Sequence, residues 1–179
     1  KKVDKLFFRD ENLAKKAEQI ILSSKFNISK IEERNVSRKP KAPFNTSTLQ
    51  QTANSQLNFS ASQTMTIAQG LYMGVDIQKE TVALITYMRT DSISLSKESI
   101  DIIRTKIEND FGPKYLPKDP IEYKTKKKNA QEAHEAIRPA GEIFRIPKET
   151  ELSGRDLSLY ELIWKRTVAS QMAEAKLTM

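Results

Sequence analysis

Apolar positions along the chain recur with two periods, three-to-four and two, which predicts helices joined by a few short strands. Val3 to Phe8 is a short β-rich run. Asp10 then offers an N-cap to a helix in which Leu13, Ala17, Ile20 and Ile21 share one face. Phe26 and Ile28 suggest a strand restarting, with the alternation breaking near Ile31. Arg38 to Phe44 holds two prolines and three basic residues and reads as a connecting segment. Leu49, Ala53 and Leu57, spaced by four, predict a second helix. Met65, Ala68, Leu71 and Tyr72 predict a third, with Ser62 as its cap. Only Phe59 to Ala61 separates these two, so they form either a plain helical hairpin or a helix-turn-helix.

Thr81 to Met88, rich in β-branched and aromatic side chains, is the clearest strand. Ser96 can cap a helix with an Ile100, Ile103, Ile107 stripe that ends near Gly112-Pro113. Phe111 to Lys128 carries three prolines and six lysines and is the least structured stretch. Asn129 starts a short helix stopped by Pro139, and Ser158 with Glu161 makes a capping box for a last helix bearing Leu162, Ile163 and Trp164. No internal repeat is visible. The expected class is α+β with helices dominant.

Composition narrows the function. The 179 residues suit one ordinary domain or two small ones, and 38% apolar content spread throughout is not that of a disordered chain. No apolar run approaches the ~18 residues that span a bilayer, and no signal-peptide pattern opens the chain. A cytoplasmic location is expected, with no membrane partner. With no cysteine and one histidine, the sequence offers no disulfide framework, thiolate zinc site or multi-histidine metal site. The net charge of +7 favours polyanionic partners, nucleic acid or an acidic membrane surface. The first residue is Lys1, which fits a processed product or an excised piece.

Three stretches could carry chemistry. In "LITYMRTDS", Leu84 to Ser92, alternate side chains of an extended strand put Tyr87, Arg89 and Asp91 on one face. An arginine can bind two oxygens of a phosphate and stabilise the charge that builds during attack. A phenol attacks as phenolate, and an unperturbed phenol ionises only near pH ~10, so a cation or base must help. The plain alternative is a solvent-facing Tyr-Arg pair. In "NAQEAHEAIRP", Asn129 to Pro139, a helix would place His134 and Arg138 one turn apart, with Gln131 on the same side. His134 could contact a phosphate or move a proton, or simply pair with neighbouring carboxylates. In "APFNTSTLQQ", Ala42 to Gln51, the hydroxyls of Thr46, Ser47 and Thr48 cap a helix from which Gln50 and Gln51 project. Such a helix start can hold a phosphate, or can be capped with no ligand at all.

Taken together and in this order, the three stretches resemble type IA DNA topoisomerases, in their bacterial topoisomerase I branch. The resemblance extends over nearly the whole chain, including "LYELIWKRTVASQM" near its end, and Met88 after the tyrosine fits that branch. It implies that Tyr87 attacks a DNA phosphodiester and becomes joined to the 5′ phosphate. Arg89 would contact the scissile phosphate and His134 would help position it. Arg138, Thr46, Ser47, Thr48, Gln51 and Asp91 would contribute to DNA binding. Asn45 stands where the family motif has threonine, which removes a hydroxyl at that one position.

The resemblance also implies an internal fragment. The family's Toprim domain, with its magnesium-binding carboxylates and catalytic lysine, has no counterpart in this sequence. Mg2+ is therefore expected as a cofactor of the full enzyme and not of this fragment. Residues 61–145 would form a winged-helix-like helical domain carrying the tyrosine, inserted in a partly β arch domain made of 1–60 and 146–179. Expected partners are DNA, single-stranded at the cleavage site, and the remaining domains of the same full-length chain, in a nucleoid-associated location. The activity implied is relaxation of negatively supercoiled DNA through transient single-strand cleavage and strand passage, without ATP because the phosphotyrosine conserves the phosphoester bond energy. Two other classes fit the residues less well. A non-catalytic nucleic-acid-binding module has no need of the Tyr87-Arg89 pair. A tyrosine recombinase places an arginine and His-x-x-Arg before its tyrosine, whereas here Tyr87 precedes His134 and the spacing to Arg138 is His-x-x-x-Arg.

Overall fold

A computed structural model describes residues 10–124, 134–141 and 144–179. The chain divides into two compact units, 1–35 with 178–179, and 36–177. In the first, helix α1 (Glu11–Ser23) starts as expected at Asp10, whose carboxylate accepts from the backbone N–H groups of Asn12 and Leu13. Leu13, Ile20 and Ile21 are nevertheless more than half exposed. The strand expected at Val3 to Phe8 lies outside the described residues. The strand expected at Phe26 and Ile28 does not form; both are exposed, and the ladder begins later, at β1 (Asn35–Arg38), which pairs with β4 (Ala175–Thr178). At the end of that ladder Arg34 and Met179 exchange two backbone hydrogen bonds of 2.9 Å.

The second unit is built on three helices, α2 (Thr46–Leu57), α3 (Ala61–Met73) and α5 (Gly154–Ser170). Leu49 and Ala53 from α2, Ala68 and Leu71 from α3, and Leu159, Tyr160 and Ile163 from α5 close one core with Phe44, Leu84, Ile85 and Ile137. Residues from all along the sequence thus share a single apolar interior. A smaller cluster joins α4 (Lys97–Phe111) to α5 through Ile103, Ile107, Phe144 and Val168, with Trp164 touching both clusters. Ser96 caps α4 as its sequence predicts, accepting from the Ser99 N–H.

Two caps fall elsewhere than expected. Helix α3 starts at Ser60, not Ser62, because Ser60 and Gln63 form a reciprocal capping box. Helix α5 starts after Ser153, and Ser158 lies inside it, its hydroxyl donating back to the Gly154 carbonyl, so no capping box forms with Glu161. The strand expected over Thr81 to Met88 is also shorter. Val75–Ile77 (β2) and Glu80–Val82 (β3) form a hairpin whose two-residue turn, Gln78-Lys79, has positive φ at both positions. That is the mirror-image turn hairpins favour, here built without the Asn-Gly or Asp-Gly that normally signals it. Gly74 feeds α3 into the hairpin at φ +119°, and a Cβ there would sit 2.6 Å from Thr81 Cγ2. Only glycine fits that junction.

Candidate active site

Beyond β3 the chain runs on without a continuous ladder, and Tyr87 lies in this stretch. Two sets of hydrogen bonds hold it. Upstream, the Leu84 N–H donates to the Leu71 carbonyl at the end of α3 (2.8 Å), and the Ala140 and Thr86 N–H groups donate to the Leu84 and Arg138 carbonyls (both 2.9 Å). The Thr86 hydroxyl donates to the Ala136 carbonyl (2.7 Å) and accepts from the Arg138 N–H (3.0 Å). Downstream, the Thr46 hydroxyl at the start of α2 reaches the Met88 carbonyl (2.8 Å) and accepts from the Thr90 N–H (2.9 Å). From Met88 on, burial alternates. Met88, Thr90 and Ser92 point inward while Arg89 and Asp91 are exposed, so those two share an outer face as expected, with Tyr87 half-buried before them.

The segment 134–140 departs from expectation. It is extended, not helical: Ile137 bridges Phe44 and Pro139 bridges Ile85, with Ala136 and Ile137 donating to the Ser94 and Phe44 carbonyls. The helix forecast from Asn129 therefore fails over its described part, while Asn129, Gln131 and Glu132 lie outside the described residues. A strand between two partners satisfies its backbone by distant groups, which no local spacing reveals. His134 and Arg138 consequently do not share a helical face. Arg138 is half-buried, paired with Glu135 (Nε to carboxylate 2.9 Å), donating to the Pro139 carbonyl (2.7 Å) and lying over the Phe144 ring. Glu135 also accepts from the Ser96 N–H at the cap of α4.

His134 instead meets Tyr87. Their ring centroids are 5.2 Å apart, and the Tyr72 ring, from the last turn of α3, stands edge-on to Tyr87 at 5.3 Å. These side chains, with Thr86 and Glu135, line an open cleft of about 620 Å³. Neither the Tyr87 hydroxyl nor the His134 ring hydrogen-bonds a described residue, and the Arg89 guanidinium makes no ion pair with one. A phenol, an imidazole and an exposed guanidinium on neighbouring backbone could engage an anionic ester together.

The other expected residues divide by position. Thr46 is spent on anchoring the Tyr87 stretch. Thr48 is spent on a capping box with Asn45, whose side chain accepts from the Thr48 N–H (2.9 Å) and also donates to the Asp91 carbonyl (3.4 Å). Asn45 therefore caps α2 itself. Ser47 and Gln51 are exposed on the first turns of α2. Tyr72, Thr86 and Glu135 were not among the expected site residues. Tyr72 carried a signal, an aromatic on the helix preceding the Tyr87 stretch, but it read as core. As to a metal, among the described residues no group of three or more carboxylate or histidine side chains is placed to hold an ion, and Glu135 in the cleft is committed to Arg138 and Ser96.

The family model described as DNA topoisomerase matches residues 1–179. The chain belongs to that family. It is 49% identical over 170 residues to DNA topoisomerase 1 of Synechococcus elongatus and 51% identical over 173 residues to DNA topoisomerase 1 of Rickettsia bellii, covering 95% and 96% of this chain. It spans only 18% and 22% of those two relatives. The structure superposes on full-length topoisomerase I from Thermotoga maritima with a TM-score of 0.76 at 38% identity, over 97% of this chain and 27% of that one. Among the described residues no helix is long and apolar enough to cross a membrane.

Proposed function

We propose that this chain is the tyrosine-bearing portion of a type IA DNA topoisomerase. The observation that carries the reading is the contact of Tyr87 with His134 in an open cleft, with Arg89 exposed two residues on. On this reading the Tyr87 hydroxyl attacks phosphorus in one DNA strand. The phenol oxygen bonds to the 5′ phosphate, the P–O3′ bond breaks, the phenolic proton leaves and the departing 3′ oxygen takes up a proton. Reversal of the same step reseals the strand after the other strand has passed, so no ATP is consumed. Arg89 binds the non-bridging oxygens and neutralises their charge in the transition state, and His134 holds the phosphate against Tyr87. Thr46 and Thr86 fix the backbone on either side. Ser47, Gln51 and Asp91, all exposed, are the further residues proposed to contact the strand, while Arg138 acts through Glu135 rather than on DNA directly.

In this account residues 61–145 are the winged-helix-like domain, with the β2–β3 hairpin after α3 supporting a wing, and 1–60 with 146–179 belong to the arch. DNA, single-stranded at the cut, and the rest of a longer chain are the partners, in the cytoplasm at the nucleoid. The described residues do not suit magnesium; a Toprim domain elsewhere in the full-length protein is its proposed place.

The test is made on the full-length protein. Tyr87→Phe keeps the ring and removes one oxygen; it is expected to abolish covalent DNA attachment in a denaturing gel while leaving DNA binding within about twofold. Covalent complexes that persist in Tyr87→Phe would sink the nucleophile assignment. The 179-residue chain by itself is expected to fold yet not relax a supercoiled plasmid, and Tyr87-dependent relaxation by it alone would show that the division of labour is wrong.

A further inference from the structure

The backbone hydrogen bonds that hold the Tyr87 stretch stop at Thr86 on one side and resume at Met88 and Thr90 on the other. Between them, the Tyr87 side chain packs against the main core and is oriented further by ring contacts. Among the described residues there are two, Tyr72 edge-on at 5.3 Å with 65° between the planes, and His134 tilted at 5.2 Å. Tyr72 and His134 form no ring pair with each other, so they touch different parts of the Tyr87 ring. His134 faces the cleft and, on the reading above, is engaged with phosphate. Tyr72 lines the same cleft, but its ring stands edge-on to Tyr87 and the reading above gives it no part in binding phosphate.

The fold places Tyr72 firmly. It follows Leu71, whose side chain is buried in the core and whose carbonyl accepts from the Leu84 N–H at 2.8 Å. The last turn of α3 and the stretch that leads into Tyr87 are therefore tied one residue before Tyr72 and three before Tyr87. Two residues after Tyr72, Gly74 turns the chain sharply into the β2–β3 hairpin in a conformation no other residue adopts without clashing with Thr81. The aromatic pair joins two segments already held in register. An edge-to-face pair of this separation favours one ring orientation over others.

We propose that Tyr72 is a positioning residue for Tyr87, holding the phenol ring in the orientation from which its hydroxyl meets the phosphate; this rests on the reading of Tyr87 as the nucleophile. No bond forms or breaks at Tyr72. Its contribution is orientation, which raises the chemical step without adding affinity for DNA. The ring and not the hydroxyl does this work, since the contact is ring to ring.

The experiment uses the full-length protein with Tyr72→Leu and Tyr72→Phe, and measures the single-turnover rate of cleavage of a single-stranded oligonucleotide. Affinity for the same oligonucleotide is measured with Tyr87→Phe added, so that no chemistry intervenes. Tyr72→Leu is expected to slow cleavage about tenfold with affinity unchanged within about twofold, and Tyr72→Phe to cleave at close to the parent rate. Should Tyr72→Leu fail to fold, Tyr72→Met tests the same loss of the ring. Cleavage by Tyr72→Leu or Tyr72→Met at the parent rate overturns the proposal, as does a Tyr72→Phe variant as slow as Tyr72→Leu. A rate loss matched by an equal loss of affinity also overturns it, because that marks a DNA contact. A parent protein that forms no Tyr87-dependent adduct overturns the nucleophile reading and the positioning role with it, an outcome distinct from normal parental cleavage unaffected by Tyr72→Leu.

Discussion

Tyr87 hangs between two anchors that solve the same problem differently. On the downstream side a helix start does the holding. Thr46, at the first position of α2, turns its hydroxyl onto the Met88 carbonyl and the Thr90 N–H, while Asn45 and Thr48 satisfy the helix end itself. On the upstream side an extended segment does it. Residues 136–140 trade backbone hydrogen bonds with Leu84, Thr86, Phe44 and Ser94, and Thr86 adds its hydroxyl. The first anchor is compact and self-sufficient. The second depends on an ion pair, because the Glu135 carboxylate joins Arg138 to the cap of α4 and so fixes the backbone that delivers His134. One therefore expects the helix anchor to fail locally and the extended anchor to take the histidine with it.

Mutations can separate the two. Glu135→Ala is expected to be the most damaging, since it strands a half-buried Arg138 and frees the Ser96 N–H. A loss of about 2–3 kcal/mol in unfolding free energy, read from denaturant midpoints, is the expected result. Glu135→Gln, which keeps the shape and one acceptor, should recover part of it. Thr86→Val and Thr46→Val form the matched pair. Each removes a hydroxyl bonded to buried backbone at a cost of about 1–2 kcal/mol. They should differ in cleavage kinetics: Thr86→Val disturbs His134 and Tyr87 together, whereas Thr46→Val acts on the Arg89 side. If the two lower the single-turnover rate alike at every pH, the anchors are not distinct. Asn45→Ala removes the cap and the long hydrogen bond to the Asp91 carbonyl, for about 1 kcal/mol, with little change in cleavage.

Tyr160 belongs to neither anchor and serves as the control. Its hydroxyl donates to the Arg145 carbonyl (2.8 Å), and burial raises its pKa well above the usual phenol range. The folded state thus keeps a proton that the unfolded chain loses near pH ~10. That stabilisation is fully present below pH ~10 and fades as pH rises above it, so the unfolding free energy should fall in alkali. Tyr160→Phe should flatten that slope, at a cost of about 1 kcal/mol at neutral pH and with no effect on cleavage.

The contrast between the anchors is also the contrast between what was and was not legible in the sequence. Helices α2 and α4 were readable because the cap, the apolar spacing and the stop all lie in or next to the helix itself. Tyr87, Arg89 and His134 were nameable from their motifs, and Thr46 from its place at a helix start. The extended run at 134–140 was not readable. His134 and Arg138 at a spacing of four imitate a helical face, while the partners that make the segment extended, Phe44, Leu84, Thr86 and Ser94, are distant in sequence. The same reason hid Glu135, whose role exists only once α4 and Arg138 are brought to it. Local signals were also insufficient for α1, where a cap and an apolar stripe made the helix but no residue of it is buried. A stripe predicts a helix. Only a partner predicts burial.

On the proposed reading these anchors present Tyr87, and no other side chain of the cleft, to a DNA phosphate. The direct test is to trap the covalent complex of the full-length protein with a single-stranded oligonucleotide, digest it with trypsin and sequence the nucleotide-bearing peptide by mass spectrometry. The nucleotide is expected on the peptide Glu80–Arg89, in which Tyr87 is the sole tyrosine, attached through its 5′ phosphate. Attachment to the peptide containing Tyr72, or through a 3′ phosphate, would contradict it.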